Sequence, residues 1–129
     1  LVMMETESHK GSPIYHTDVF MFIGTEVIGI CFDVIKPEYR DLIKDKVSKH
    51  HKVIEISKDQ ILDFCGNALE AKDRNGNLYL IMSSRAESAL TDHQRNELHK
   101  YYSKILHADL TTIEKYGGGS TRCMLSELF

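Results

Sequence analysis

The chain has 129 residues, 42% of them hydrophobic and 27% charged, with a formal net charge of −3. That length suits one domain able to bury a core, and the composition is ordinary for a globular protein. A mildly acidic chain lacks the basic footprint of a nucleic-acid binder, and with no run of 18 apolar residues it offers no membrane span.

Residues 1–12 are polar and read as a loose N-terminal arm. They lack the basic-then-apolar order of a signal peptide. The chain opens on Leu1, not Met, which points to an excised fragment or a processed chain. Apolar runs at 19–23 and 27–32, parted by Gly24-Thr25-Glu26, predict a hairpin. Pro37 then opens a helix at a position where its missing N–H costs nothing. Tyr39, Leu42, Ile43 and Val47 give that helix one apolar stripe. A third strand follows at 53–56. Ser57 and Gln60 form a capping box that starts a short helix through Phe64.

The pattern then repeats. Runs at 67–71 and 78–83 flank Asn75-Gly76, the strongest short hairpin signal. Thr91 and Gln94 form a second capping box, and its helix carries Leu98, Tyr101, Tyr102 and Ile105 on one face. A closing strand is expected at 108–113. The helix starts Pro37 and Asp92 are 55 residues apart, and the middle strands begin 51 apart at Val27 and Leu78. Strand–strand–helix–strand units are therefore expected at 13–57 and 58–116, followed at 117–129 by a glycine-rich loop and a C-terminal strand carrying Cys123. Such a period points to a modular array whose units need neighbours to bury their faces. The two units belong to a longer protein, complete themselves by homo-oligomerising, or pack together as one α+β domain.

Three cysteines, Cys31, Cys65 and Cys123, with no CxxC pair argue against a disulfide framework or a zinc site. With no leader in sight they favour a reducing, cytoplasmic setting. The seven histidines have no metal-ligand spacing; His50 and His51 suit a solvated helix end. Cys31 and Cys65 read as core, and Gly66 as a helix C-cap. Gly117-Gly118-Gly119 lacks the pattern of a phosphate loop.

Cys123 reads two ways, as an inert thiol or as a nucleophile set after a flexible glycine turn. A thiolate needs positive charge or N–H donors nearby. Arg122 would point to the opposite face of an extended segment, so a substrate cation is the better source. His16 and Asp18 share a face on an extended segment. They read as a proton carrier beside a cation-binding carboxylate, or as ordinary surface residues. Asn67 reads as a group that hydrogen-bonds a loop or shapes the site.

Tyr15-His16-Thr17-Asp18, together with Gly117-Gly118-Gly119-Ser120-Thr121-Arg122-Cys123-Met124, resembles the guanidino-group-modifying enzymes, the pentein superfamily of arginine deiminases, amidinotransferases and dimethylarginine hydrolases. The nearest branch in appearance is the arginine-deiminase-related proteins. Residues 13–23, 64–69 and 113–129 carry the likeness. The resemblance implies an α+β fold of five strand–strand–helix–strand modules in an α/β propeller, with about two of the five present. It implies Cys123 as nucleophile, His16 as acid and then base, and Asp18, Gly118 and Asn67 as the substrate-binding set, with no metal or cofactor. The expected substrate is a small guanidino or ureido compound such as arginine or citrulline. The family draws further acidic residues from its N-terminal modules, so this stretch is expected to be inactive until they, or a homo-oligomer partner, complete the site. An amidinotransferase, or a non-catalytic assembly module on the same scaffold, stays open as an alternative.

Overall fold

Each half of the chain builds one small mixed sheet. The structure is a computed structural model that describes residues 3–126. In the first half, β1 (Met21–Ile23) runs antiparallel to β2 (Val27–Ile30), and β2 runs parallel to β3 (Lys52–Glu55). The crossover from β2 to β3 is α1 (Pro37–Ser48), with proline at its first turn. In the second half, β4 (Leu69–Lys72) is antiparallel to β5 (Leu78–Ser83), and β5 is parallel to β6 (Lys104–Ala108). Between β3 and β4 lies α2 (Lys58–Leu62); between β5 and β6 lie α3 (Ser84–Ala89) and α4 (Asp92–Leu98). The last elements among the described residues are α5 (Thr111–Gly117) and α6 (Thr121–Met124). Both sheets have the order hairpin first, parallel partner last. The first strands of the two sheets, β1 and β4, lie side by side.

The middle strands carry the core, as their position demands. All four residues of β2 are buried, and Leu80 and Met82 of β5 join Leu98 and Tyr102 beneath the second sheet. No helix among the described residues is long and apolar enough to cross a membrane.

The capping boxes do more than start helices. Ser57 Oγ accepts from the Gln60 amide, and Thr91 Oγ1 accepts from the Gln94 amide. The two glutamine side chains then meet in the interior. Gln60 Nε2 donates to Gln94 Oε1 at 2.7 Å, and Gln94 Nε2 donates to Gln60 Oε1 at 3.0 Å. Each amide also reaches a backbone carbonyl, Gln60 that of Ala89 and Gln94 that of Glu55. Every polar group of the pair is matched, so it ties β3 and α2 to α4 without an orphaned donor. Gln94→Ala leaves the Gln60 amide and the Glu55 carbonyl short of partners. We expect it to cost about 3 kcal/mol in urea unfolding, given the penalty for stranded buried groups; a loss below about 1 kcal/mol would refute the interlock.

Five expectations need correction. The arm at 1–12 is not loose where it is described: Glu7 N–H donates to Val34 O at 2.7 Å, Lys36 N–H to Glu5 O at 3.0 Å, and Thr6 bridges Ile35. The helix expected to run on to Ile105 stops at Leu98, because Ile105 is paired with Leu80 in the sheet. Helix end and strand start share one apolar spacing there, and cross-strand pairing wins. The closing strand lies at Lys104–Ala108, not 108–113. Asp109 ends it by accepting the Thr111 N–H and hydroxyl, which turns the chain into α5. The C-terminal strand over 117–129 is absent as far as Ser126: Cys123 sits on α6, and the last three residues lie outside the described ones. Gly66 is no C-cap; Phe64, at φ 63, turns the chain after α2.

Candidate functional site

Three segments distant in sequence converge beside the β1–β4 seam. The first is a single 3-10 turn, Thr17–Val19, which leads into β1 and carries Asp18. The second is the turn after α2. Phe64 adopts φ 63, a costly conformation for a bulky residue. Arg85 lies 5.6 Å over the Phe64 ring and pairs with Asp63 at 2.7 Å. Two residues on, Gly66 presses against the first segment. A methyl there would lie 2.7 Å from Val19 O and 2.9 Å from Met21 N. Only glycine allows that approach, and it delivers Asn67 to Asp18. The third segment is α6 with Cys123.

Asn67 is 4% exposed and joins all three. Its Nδ2 lies 3.1 Å from Asp18 Oδ2, 3.2 Å from Asp18 O and 3.2 Å from Cys123 Sγ. Its Oδ1 accepts the backbone N–H of Arg122 at 2.9 Å and that of Cys123 at 3.4 Å. The Cys123 thiol donates to Asp18 Oδ2 at 3.3 Å. Thiol, carboxylate and amide thus form a closed triangle.

The three cysteines separate cleanly. Burial pushes the Cys65 thiol up to about 12, and its S–H donates to Ala86 O at 3.3 Å. Burial also raises Cys31. Both are inert core groups. Cys123 is the exposed one.

Asp18 and Arg122 are shared by two depressions. One, of about 450 Å³, runs along the seam to Thr25 and Glu70. The other, about 680 Å³ and more open, is bounded by Tyr15, His16 and Ser126. His16 is therefore on the wall near Asp18, but exposed, and no hydrogen bond joins it to Cys123 among the described residues. Gly118 is the left-handed C-cap of α5, at φ 70, with open space around it. The glycine that touches the sulfur is Gly119, where a methyl would fall 2.9 Å from Cys123 Sγ.

Sequence reasoning missed Glu70, whose carboxylate accepts the Thr25 N–H at 3.0 Å and the Thr25 hydroxyl at 2.6 Å across the seam. Nothing in the spacing of residues 25 and 70 signals that bond. Among the described residues no cluster of His, Cys, Asp and Glu could hold a metal ion.

A family model described as N,N dimethylarginine dimethylhydrolase, eukaryotic, matches residues 1–129. The chain belongs to that family, within the pentein superfamily of arginine-deiminase-related proteins. Its fold is similar to the N-terminal domain of ArgZ, a cyanobacterial arginine dihydrolase of the ornithine–ammonia cycle, solved bound to product. That likeness has 18% identity and a TM-score of 0.69, covering 95% of this chain and 40% of that one. The longer ArgZ apo structure gives 17% identity and a TM-score of 0.64, covering 84% of this chain and 15% of that one. The chain thus spans well under half of either solved relative. No curated protein sequence matches it.

Proposed function

We propose that this chain is the C-terminal part, about two modules of five, of a cysteine-dependent hydrolase acting on a guanidino group. The observation that carries this reading is the 3.3 Å contact between Cys123 Sγ and Asp18 Oδ2, braced by Asn67. A guanidinium carbon is a poor electrophile because its charge is delocalised; orientation and a strong nucleophile must make up the difference. Asp18 accepts N–H bonds from the guanidinium and holds it over the sulfur. The arriving cation also turns the repulsion between carboxylate and nascent thiolate into attraction for both.

Sulfur then bonds to the central carbon as the thiol proton passes to His16. His16 passes a proton to the departing amine as the C–N bond breaks. Water, deprotonated by His16, attacks the amidino-thioester; the C–S bond breaks, and sulfur recovers its proton. The net change is guanidinium plus water to a ureido group plus an ammonium ion. Asn67 shapes the site by holding nucleophile and carboxylate together. Gly118, in open space at the end of α5, would contact the substrate through its backbone. Further acidic groups come from modules beyond this chain.

The test is intact-mass labelling of the 129-residue chain at neutral pH with chloroacetamidine, a cationic guanidine mimic, and with neutral chloroacetamide. We expect Cys123 to react at least tenfold faster with the amidine, Cys31 and Cys65 to stay unlabelled, and Asp18→Asn to erase the preference. Equal slow labelling of all three cysteines, both in this chain and in one extended by the missing modules, would overturn the reading.

A further inference from the structure

Behind the Cys123 turn lies a carboxyl group that the reaction does not use. Glu114, on α5, is 5% exposed. Its Oε1 accepts the Ser120 hydroxyl at 2.7 Å, in a buried bond. Its Oε2 and the Thr121 hydroxyl are buried with no partner among the described residues. Burying a carboxyl group with one oxygen unmatched is costly, and an apolar side chain would fill the same space more cheaply. What Glu114 gains in return is control of the next turn.

Ser120 is the N-cap residue of α6, yet its hydroxyl makes no capping bond. Serine there would normally satisfy its own helix. Instead it is turned back to Glu114, six residues earlier, across Gly117-Gly118-Gly119. Three consecutive glycines leave the backbone free to reorient. The Glu114–Ser120 bond closes that segment and fixes where α6 begins. Three residues later comes Cys123, whose Sγ must meet Asp18 and Asn67.

We propose that Glu114 is a positioning residue for Cys123, acting through the Ser120 hydroxyl to set the start of α6. The proposal rests on the reading of Cys123 as the nucleophile, and its test separates the two. In the 129-residue chain, two readouts are taken on Ser120→Ala, Glu114→Ala and Glu114→Gln. One is hydrogen exchange at the Arg122 amide, which bonds Asn67 Oδ1, against the Leu80 amide of β5 as control. The other is the amidine-to-amide labelling ratio at Cys123.

Ser120→Ala and Glu114→Ala should speed Arg122 exchange at least tenfold while Leu80 is unchanged. They should also lower the labelling ratio to that of Asp18→Asn. Glu114→Gln keeps an oxygen for Ser120 and should restore both. If Glu114→Ala fails to fold, Ser120→Ala, which loses one hydroxyl, decides alone. Unchanged Arg122 exchange in Ser120→Ala overturns the proposal, as does equal acceleration at Leu80. A wild-type labelling ratio near one, both in this chain and in the extended one, sinks the nucleophile reading instead, and Arg122 exchange still decides the role of Glu114.

Discussion

Gly66→Ala should be severely damaging for a single added methyl. The added carbon would sit 2.7 Å from Val19 O and 2.9 Å from both Met21 N and Phe20 C. All three are backbone atoms at the entry to β1, so no side chain can swing aside. Either the turn at 63–67 retreats or the 3-10 turn carrying Asp18 does. We expect a stability loss of about 3–4 kcal/mol, the range in which overpacking and backbone strain combine. Even where the chain still folds, Asn67 and Asp18 part, and the amidine preference at Cys123 disappears. Urea unfolding and competitive labelling measure the two effects separately. A loss below about 1 kcal/mol with the preference intact would show that the seam is softer than its contacts imply.

That glycine also marks where sequence reading reaches its limit. The hairpins and α1 were legible because their signals are local: runs of apolar residues, Asn75-Gly76, Pro37. Both capping boxes were legible for the same reason. Their meeting through Gln60 and Gln94 was not, since it depends on how two helices with no sequence relation are brought together. The Leu98-to-Ile105 spacing reads as one helix face, yet the sheet claims Ile105. α3 was overlooked although Ser83 Oγ caps it by accepting the Ala86 N–H at 3.1 Å, a signal present in the sequence.

At the site, motif order pointed to Cys123, His16 and Asp18, and the fold sets the first and last in contact. Gly118 was singled out for its place in a glycine run. The residue that must be small is its neighbour Gly119, because α6 folds the sulfur back over it. Ser120 and Glu114 carried no signal of the hydrogen bond they make, because it depends on how α6 is set against α5.

Asn67 carries the second large expectation, and two substitutions divide its roles. Asn67→Leu keeps much of the volume and removes both polar functions. The Arg122 N–H loses its Oδ1 partner, and Asp18 and the thiol lose their shared donor. Stranding such groups costs about 1–3 kcal/mol, so destabilisation of about 2–4 kcal/mol is expected together with loss of the labelling preference. Asn67→Asp is subtler. It keeps an oxygen for Arg122 but places a carboxylate where Nδ2 stood, 3.1 Å from Asp18 Oδ2. Two carboxylates at that spacing resist double ionisation, and the pair as a unit takes up a proton more readily in the folded state than in the unfolded one. A raised folded-state affinity for the proton means that stability is lost as pH rises and recovered as it falls. Asn67→Asp should therefore approach wild-type stability near pH 4 and fall away towards pH 7, while Asn67→Leu, which only takes a donor from Asp18 and adds no charge, changes much less between the two. Parallel pH profiles for the two variants would mean that Asp18 does not face Asn67 closely enough to serve, with Cys123, as the wall of a cation site.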